Sequence, residues 1–412
     1  MEQGWCHVRA TDPLNRNTVS APTRSPPRRR DWSWRSQAVR GLVYQVLAVA
    51  VIGAAVWYLA HNTLENMRAR GIQSGFDFLL QPAGFDISES LVPYDALDPF
   101  WKAFLVGILN TLRVAIVGVV LATVMGTLLG IGRFSRNAIV RWLCYGYVEL
   151  FRNVPVLLQL LMWYLLFTDI LPPMTEPLSL GTILFLSKGG FAFPIPVWQV
   201  GQTLAAIGAV AGIAIALAYR WWALRQFELT GRVRSLFLMP LAIVFGCALV
   251  GWLAGGAPTE WSLPVPGPFS TEGGASVTPE FIGVLLGLVL YTSAFIAEVV
   301  RAGISSVAYG QSEAASSLGL SRGQTMRMVI LPQALRVIIP PITSQYLNLT
   351  KNSSLAVAIG FPDVVSIANT SLSQTGRAVE CIAIIMLVYL STSLSTAAFM
   401  NWYNRRAALK ER

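Results

Sequence analysis

The sequence predicts an all-α integral membrane protein of about eight transmembrane helices. Composition, pattern and charge carry this reading. Of 412 residues, 54% are hydrophobic and only 13% charged, against the roughly 25% charged residues of a soluble domain, and the mean hydropathy is +0.54. The apolar residues gather into eight runs, at about 41–60, 102–131, 146–168, 199–219, 235–255, 281–301, 335–359 and 380–402. Each is near the ~20 residues that ~30 Å of hydrocarbon requires at a rise of ~1.5 Å per residue.

The chain opens with a basic stretch, 1–40, in which Pro22, Pro26 and Pro27 precede Arg28, Arg29 and Arg30. Such a composition predicts a disordered tail that lies on anionic headgroups. It is too long and too Arg-rich for a cleaved signal peptide, so the first apolar run is expected to stay as a membrane anchor, followed by an outer loop to residue 99. A core of 100–402 follows, with a helix pair inserted at about 199–255, and then a basic tail at 403–412. Gly118, Ala122, Gly126 and Gly130 recur every four residues in the second run, and Gly283 and Gly287 in the sixth. That spacing gives a helix a face of small residues on which a neighbour can seat closely in lipid.

The seventh run is different. It carries Thr343, Ser344, Gln345, Asn348, Lys351, Asn352, Ser353 and Ser354, a set that cannot face hydrocarbon and so must face protein or water. Pro340 and Pro341 bend its start and free backbone carbonyls. Lys351 suits a carboxylate ligand or an internal partner such as Glu380, and Arg113 in the second run has the same two readings.

Charge sets the orientation, because Lys and Arg of short loops collect on the cytoplasmic side. With the N-terminus inside, the inner segments hold the Arg-rich tail, then Arg133, Arg136 and Arg141, then Arg220, Arg225, Arg232 and Arg234, then Arg301, Arg322, Arg327 and Arg336, and the basic C-terminus. The first outer loop is acidic, with Glu65, Asp77, Asp86, Glu89, Asp95 and Asp98. Both termini are therefore expected in the cytoplasm. The same asymmetry accounts for the net charge of +10 without a nucleic-acid partner.

Several chemistries are excluded. Cys6, Cys144, Cys247 and Cys381 show no Cys-x-x-Cys spacing, and His7 and His61 have no partners for a metal or nucleophile constellation. No catalytic residue, cofactor or metal is expected. No Gly-x-x-x-x-Gly-Lys-Ser/Thr stretch is present to cradle ATP phosphates. The outer loops are each shorter than the ~50 residues of a folded binding domain.

Between the sixth and seventh runs lies a mostly polar stretch, 310–332, that can be read from local physics. Ser312 precedes a helix-favouring segment through Leu318, Gly319 suits a left-handed helix end, and Ser321 with Gln324 has capping-box spacing. A second short helix then follows, limited by Pro332. The expected product is a rigid helix-turn-helix knob, suited to transmitting force from a soluble motor.

The knob's pattern, Glu313-Ala314-Ala315, three residues, Gly319, nine residues, then Val329-Ile-Leu331-Pro332, resembles the "EAA" loop of ABC-type importer permeases, with Val329 where Ile is usual. Asn110-Thr111-Leu112, the run from Tyr147 through Glu149, Arg152 and Pro155 to Gln159, the run from Tyr291 through Glu298 and Arg301 to Gly303, and Asn348 with Lys351-Asn352-Ser353 resemble permeases for polar and general L-amino acids. The likeness covers about 100–402 and is strongest to the Q-type subunits of general L-amino acid transporters, which also carry an added N-terminal span and a central insertion.

The resemblance implies a type I importer permease core in a bacterial inner membrane. It implies as partners a paralogous permease subunit, two copies of a cytoplasmic ATPase that binds ATP and Mg, and a periplasmic amino-acid-binding protein. Glu313 would dock polar groups of the ATPase, Ala314 and Ala315 would allow close seating, and Gly319, Leu331 and Pro332 would shape the loop. Glu149-x-x-Arg152 and Glu298-x-x-Arg301 share one spacing at the expected inner ends of two spans; they read as local i, i+3 salt bridges or as pairs that exchange across an inner gate. The competing classes are an ion-gradient-driven carrier and a membrane enzyme or scaffold.

Overall fold

The computed structural model describes residues 37–69, 71, 74–181, 183–230, 235–267 and 271–407. Most of the basic N-terminal tail and the last five residues lie outside them. The chain divides into two compact units, residues 1–72 and 73–412. In the first unit, α1 (Gln37–Ala69) is an apolar helix in which Trp57 stacks on His61 at 5.3 Å and His61 lies 3.2 Å from Glu65.

The second unit is built on two crossing helices, α2 (Phe100–Gly132) and α7 (Pro279–Ser305). The small-residue face of α2 is the reason they meet so closely. A Cβ at Gly126 would stand 2.7 Å from the Ser293 carbonyl oxygen, and one at Gly130 2.8 Å from that of Ala297. Gly287 of α7 seats against Leu160, whose Cδ2 would lie 2.6 Å from a Cβ there. The small residues expected to aid packing are thus used within the unit. Around this pair, Val114, Leu160, Leu288, Ile296, Ala334 and Leu349 form a fully buried core.

The third apolar run departs from expectation. It is two helices, α3 (Ala138–Asn153) and α4 (Val156–Ile170), bent by 105° at Val154–Pro155. The cause is local: Pro155 lacks an N–H and forces Val154 into an extended backbone, φ −96 and ψ 128. Downstream come α5 (Val200–Thr230) and α6 (Leu238–Ala254), then α7, the knob helices, α10 (Leu331–Asn352), the short α11 (Val364–Thr375) and α12 (Ala378–Ala407). Among the described residues six helices are long and apolar enough to cross a membrane, or seven if the bent pair is one span. The eighth candidate is α6, apolar over 17 residues, at the short end of the range for a span.

The second and third outer loops also differ from expectation. Strands β1 (Leu178–Leu180), β2 (Leu184–Ser187) and β3 (Gly190–Phe193) form an antiparallel meander, and β8 (Ala275–Val277) from the far side of the insertion pairs with β3, Ala192 opposite Ser276. Two smaller ladders pair β4 (Ile195–Pro196) with β5 (Trp261–Ser262) and β6 (Val265–Pro266) with β7 (Thr271–Glu272). The loops are therefore one small β-structure at the foot of α5 and α6.

The segment 74–99 folds over the ends of α2, α11 and α12, with Phe78 only 1% exposed among Phe100, Phe104, Ile367 and Val388. Two ionic latches hold it. Arg113 pairs with Glu89, whose other oxygen accepts from Thr278 at 2.6 Å, and the Arg113 guanidinium lies over the Phe281 ring at 4.1 Å. Arg377, buried, donates to Asp77 at 2.5 and 2.9 Å and to the Gly75 carbonyl, while Glu380 accepts from the Gly75 amide at 2.6 Å. The Arg377 hydrogen bond holds the Asp77 carboxyl below its ordinary value, so this latch persists at neutral pH and is lost as pH falls through that lowered value. Arg377→Ala should release the segment: amide exchange of residues 74–80 is expected to rise about tenfold. Unchanged exchange would show that Phe78 and the Arg113–Glu89 pair hold it without Arg377.

Candidate coupling knob and inner charge cluster

The knob between α7 and α10 is closed by residues that the sequence supplies locally. Helix α8 (Tyr309–Ser317) ends at Gly319, φ +74, where Gly319 N–H donates to Ser316 O and Leu320 N–H to Ala315 O, the double bond of a Schellman end. Ser321 and Gln324 then form a reciprocal capping box that starts α9 (Arg322–Thr325).

Pro332 does not end this second helix. A π-helical turn, Met326–Ile330, follows α9 and leads directly into α10, with Pro332 in its first turn. A wider turn is a way to carry a proline whose ring would otherwise strike the carbonyl four residues back. The knob is thus continuous with the long helix 322–359 rather than hinged from it. Glu313 and Ala314 are exposed, whereas Ala315 is 3% exposed and Thr325 7%. Ala315 therefore packs inside the knob, and only Ala314 is available for seating a partner.

At the C-terminal ends of α2, α3 and α7, one carboxylate gathers three guanidinium groups. Glu298 accepts from Arg301 at 2.5 and 3.1 Å and from Arg133 at 2.5 Å, and Arg152 Nη1 stands 3.7 Å away. Arg133 also lies over Tyr145, and Arg152 over Phe295. Glu298 and Arg301 form the i, i+3 bridge, but Arg152 approaches Glu298 of another helix, and no ion pair joins it to Glu149 among the described residues. Sequence reasoning assigned Arg133 only to the positive inner side; its place in the cluster depends on the α2–α7 crossing.

Pro155 and Gln159 meet at the bend. Buried Gln159 donates through Nε2 to the carbonyls of Phe151 and Val154, both at 2.9 Å, and so caps the end of α3 that Pro155 breaks.

Along α10 and the 3-10 turn Ser353–Ile359 that follows it, Thr343, Thr350, Ser353 and Ser354 return their hydroxyls to backbone carbonyls three or four residues back. Ser353 is fully buried and Asn352 half-buried, whereas Pro340, Ser344, Asn348 and Lys351 recur along one exposed face. The alternative partner of Lys351 is engaged elsewhere, since Glu380 bonds Gly75, and no ion pair involves Lys351 among the described residues. Arg113 is held by Glu89.

Residues 118–409 match the model of the binding-protein-dependent transport system inner membrane component family. The chain is 44% identical to the general L-amino acid transport system permease protein AapQ of Rhizobium johnstonii, over 96% of this chain and all of that one. It is 44% identical to the putative amino-acid ABC transporter permease protein YhdX of Escherichia coli K12, over 92% and 97%. It is 36% identical to the glutamate/glutamine/aspartate/asparagine transport system permease protein BztB of Rhodobacter capsulatus, over 90% and 95%. With matches that run through the knob, the bend and the polar face of α10, this chain belongs to the binding-protein-dependent transport system inner membrane component family.

Proposed function

We propose that the chain is the permease subunit of an ATP-driven importer of L-amino acids in a bacterial inner membrane, both termini in the cytoplasm. The observation that carries the reading is the rigid knob: a Schellman end and a capping box join two helices whose outer side, Glu313 and Ala314, is bare. A cytoplasmic ATPase pair docks there, and because the π-turn runs on into α10, motion at the knob moves the exposed polar face of Asn348 and Lys351. That face lines the path with the corresponding surface of a paralogous permease. A periplasmic binding protein delivers the amino acid, and the Glu298 cluster is the inner gate, its arginines exchanging as the spans rock. The names of the three relatives support the substrate class.

Purification of the chain in mild detergent after expression with its neighbours is expected to bring down an ATPase. Gly319→Asp forces a side chain into a left-handed backbone and adds a charge at the docking turn. Uptake should fall at least tenfold, an effect of ~1.4 kcal/mol or more, with the protein still in the membrane. Normal uptake by this variant, or a chain that purifies with no ATPase while transporting, would remove the knob assignment and favour an ion-gradient carrier.

A further inference from the structure

Helices α5 and α6 pack on each other and on little else in the unit. Over the half next to the β-structure they touch through glycine: a Cβ at Gly208 would lie 2.3 Å from Cys247 O, and one at Gly251 2.2 Å from Leu204 O. These contacts end at Gly212. From there the pair encloses an open groove of ≈ 240 Å³, walled by Ile213, Leu217, Phe237, Leu241 and Val244, with one charged group, Arg220, among its lining residues.

The depth of that charge is fixed by the helix. Trp198 and Trp261, both exposed, mark one end of the hairpin, and Tyr219, Trp221 and Trp222 the other. Residues 200–219 span ~30 Å at ~1.5 Å per residue, one hydrocarbon thickness, which sets Arg220 and Arg225 at headgroup level. Both arginines are exposed, Arg225 lies over the Trp221 ring at 4.9 Å, and neither pairs with a carboxylate among the described residues. An apolar trough that ends at an arginine matches one occupant, a molecule with an acyl chain and an anionic head.

We propose that the α5–α6 groove is a binding site for an anionic phospholipid, one acyl chain lying along Ile213, Leu217, Leu241 and Val244 and the phosphate held by Arg220. A zwitterionic lipid fits the trough but gains less at the Arg220 guanidinium. The site's assignment to the cytoplasmic leaflet rests on the orientation proposed above. Its lipid selectivity does not, so the two fail separately.

The test uses the full chain in mild detergent, with phosphatidylglycerol and phosphatidylcholine of identical chains counted by native mass spectrometry. Wild type should retain phosphatidylglycerol about fivefold better, the effect of one arginine. Arg220→Gln should bring the two lipids to parity, and Lys188→Gln, on the β-structure, should change nothing. Leu217→Trp, which fills the trough, should lower retention of both lipids while the melting temperature holds. Equal retention by wild type would mean an exchanging annulus only and overturn the site. Displacement of phosphatidylglycerol by millimolar glycerol phosphate would overturn it too, because the head alone would then suffice. Uptake and ATPase copurification are read separately and bear only on the transport proposal.

Discussion

A Glu298→Gln protein is expected to melt earlier than its parent, by about 1–3 kcal/mol. The variant keeps shape and removes one charge, leaving Arg133, Arg152 and Arg301 facing a neutral amide that answers none of them. Removing one partner of a fully buried pair costs ~3–5 kcal/mol and of an exposed pair ~0–1. Glu298 is 25% exposed and Arg133 10%, which places the loss between those limits. Adding Arg133→Gln should return part of it, since one repulsive charge goes with its lost partner. The same variant tests the gate: if the arginines exchange over Glu298 as the spans rock, uptake falls and ATP hydrolysis runs free of it. Full uptake with unchanged coupled hydrolysis would leave the cluster a static clamp, and an unchanged melting temperature would dissolve the clamp as well.

Why this cluster was only half legible in the sequence follows from distance along the chain. The knob could be read because each of its parts is decided within four residues: Gly319 by its own backbone, Ser321 by Gln324. Glu298 and Arg301 are equally local. Arg133 reaches Glu298 across 165 positions, and only the α2–α7 crossing brings it there. The β-structure was hidden for the same reason, since strands of two to four residues show no alternation and β3 finds β8 across the whole α5–α6 insertion. The bend at Pro155 left a usable signal. A proline inside an apolar run, with an amide side chain four residues later, supplies both a break and the donor to cap it. Hydropathy averaged over the run concealed that signal. Pro332 misled in the opposite direction, because a single π-turn absorbs it and the helix continues.

The crossing on which the cluster depends is itself the most sensitive point of the fold. Gly126→Leu is expected to prevent the second unit from assembling. In an open helix the change would be favourable by ~1 kcal/mol, because glycine is a poor helix former and leucine a good one. At Gly126 the new Cβ would lie 2.7 Å from both the Ser293 carbonyl oxygen and Ile296 Cβ, and the branch beyond it has nowhere to go. Backbone must move, so the cost exceeds the ~1–3 kcal/mol of ordinary overpacking. The two helices would part along the stripe that also holds Gly130 against Ala297, drawing Arg133 away from Glu298. Gly146→Leu is the control in the same chain, on α3 with nothing within 4 Å of the added carbon. It should leave a single sharp peak in detergent gel filtration, at parental yield or better, while Gly126→Leu gives aggregate or no recoverable protein. Equal behaviour of the two variants would mean that α2 and α7 do not meet along this glycine face, and the charge cluster would lose the geometry that builds it.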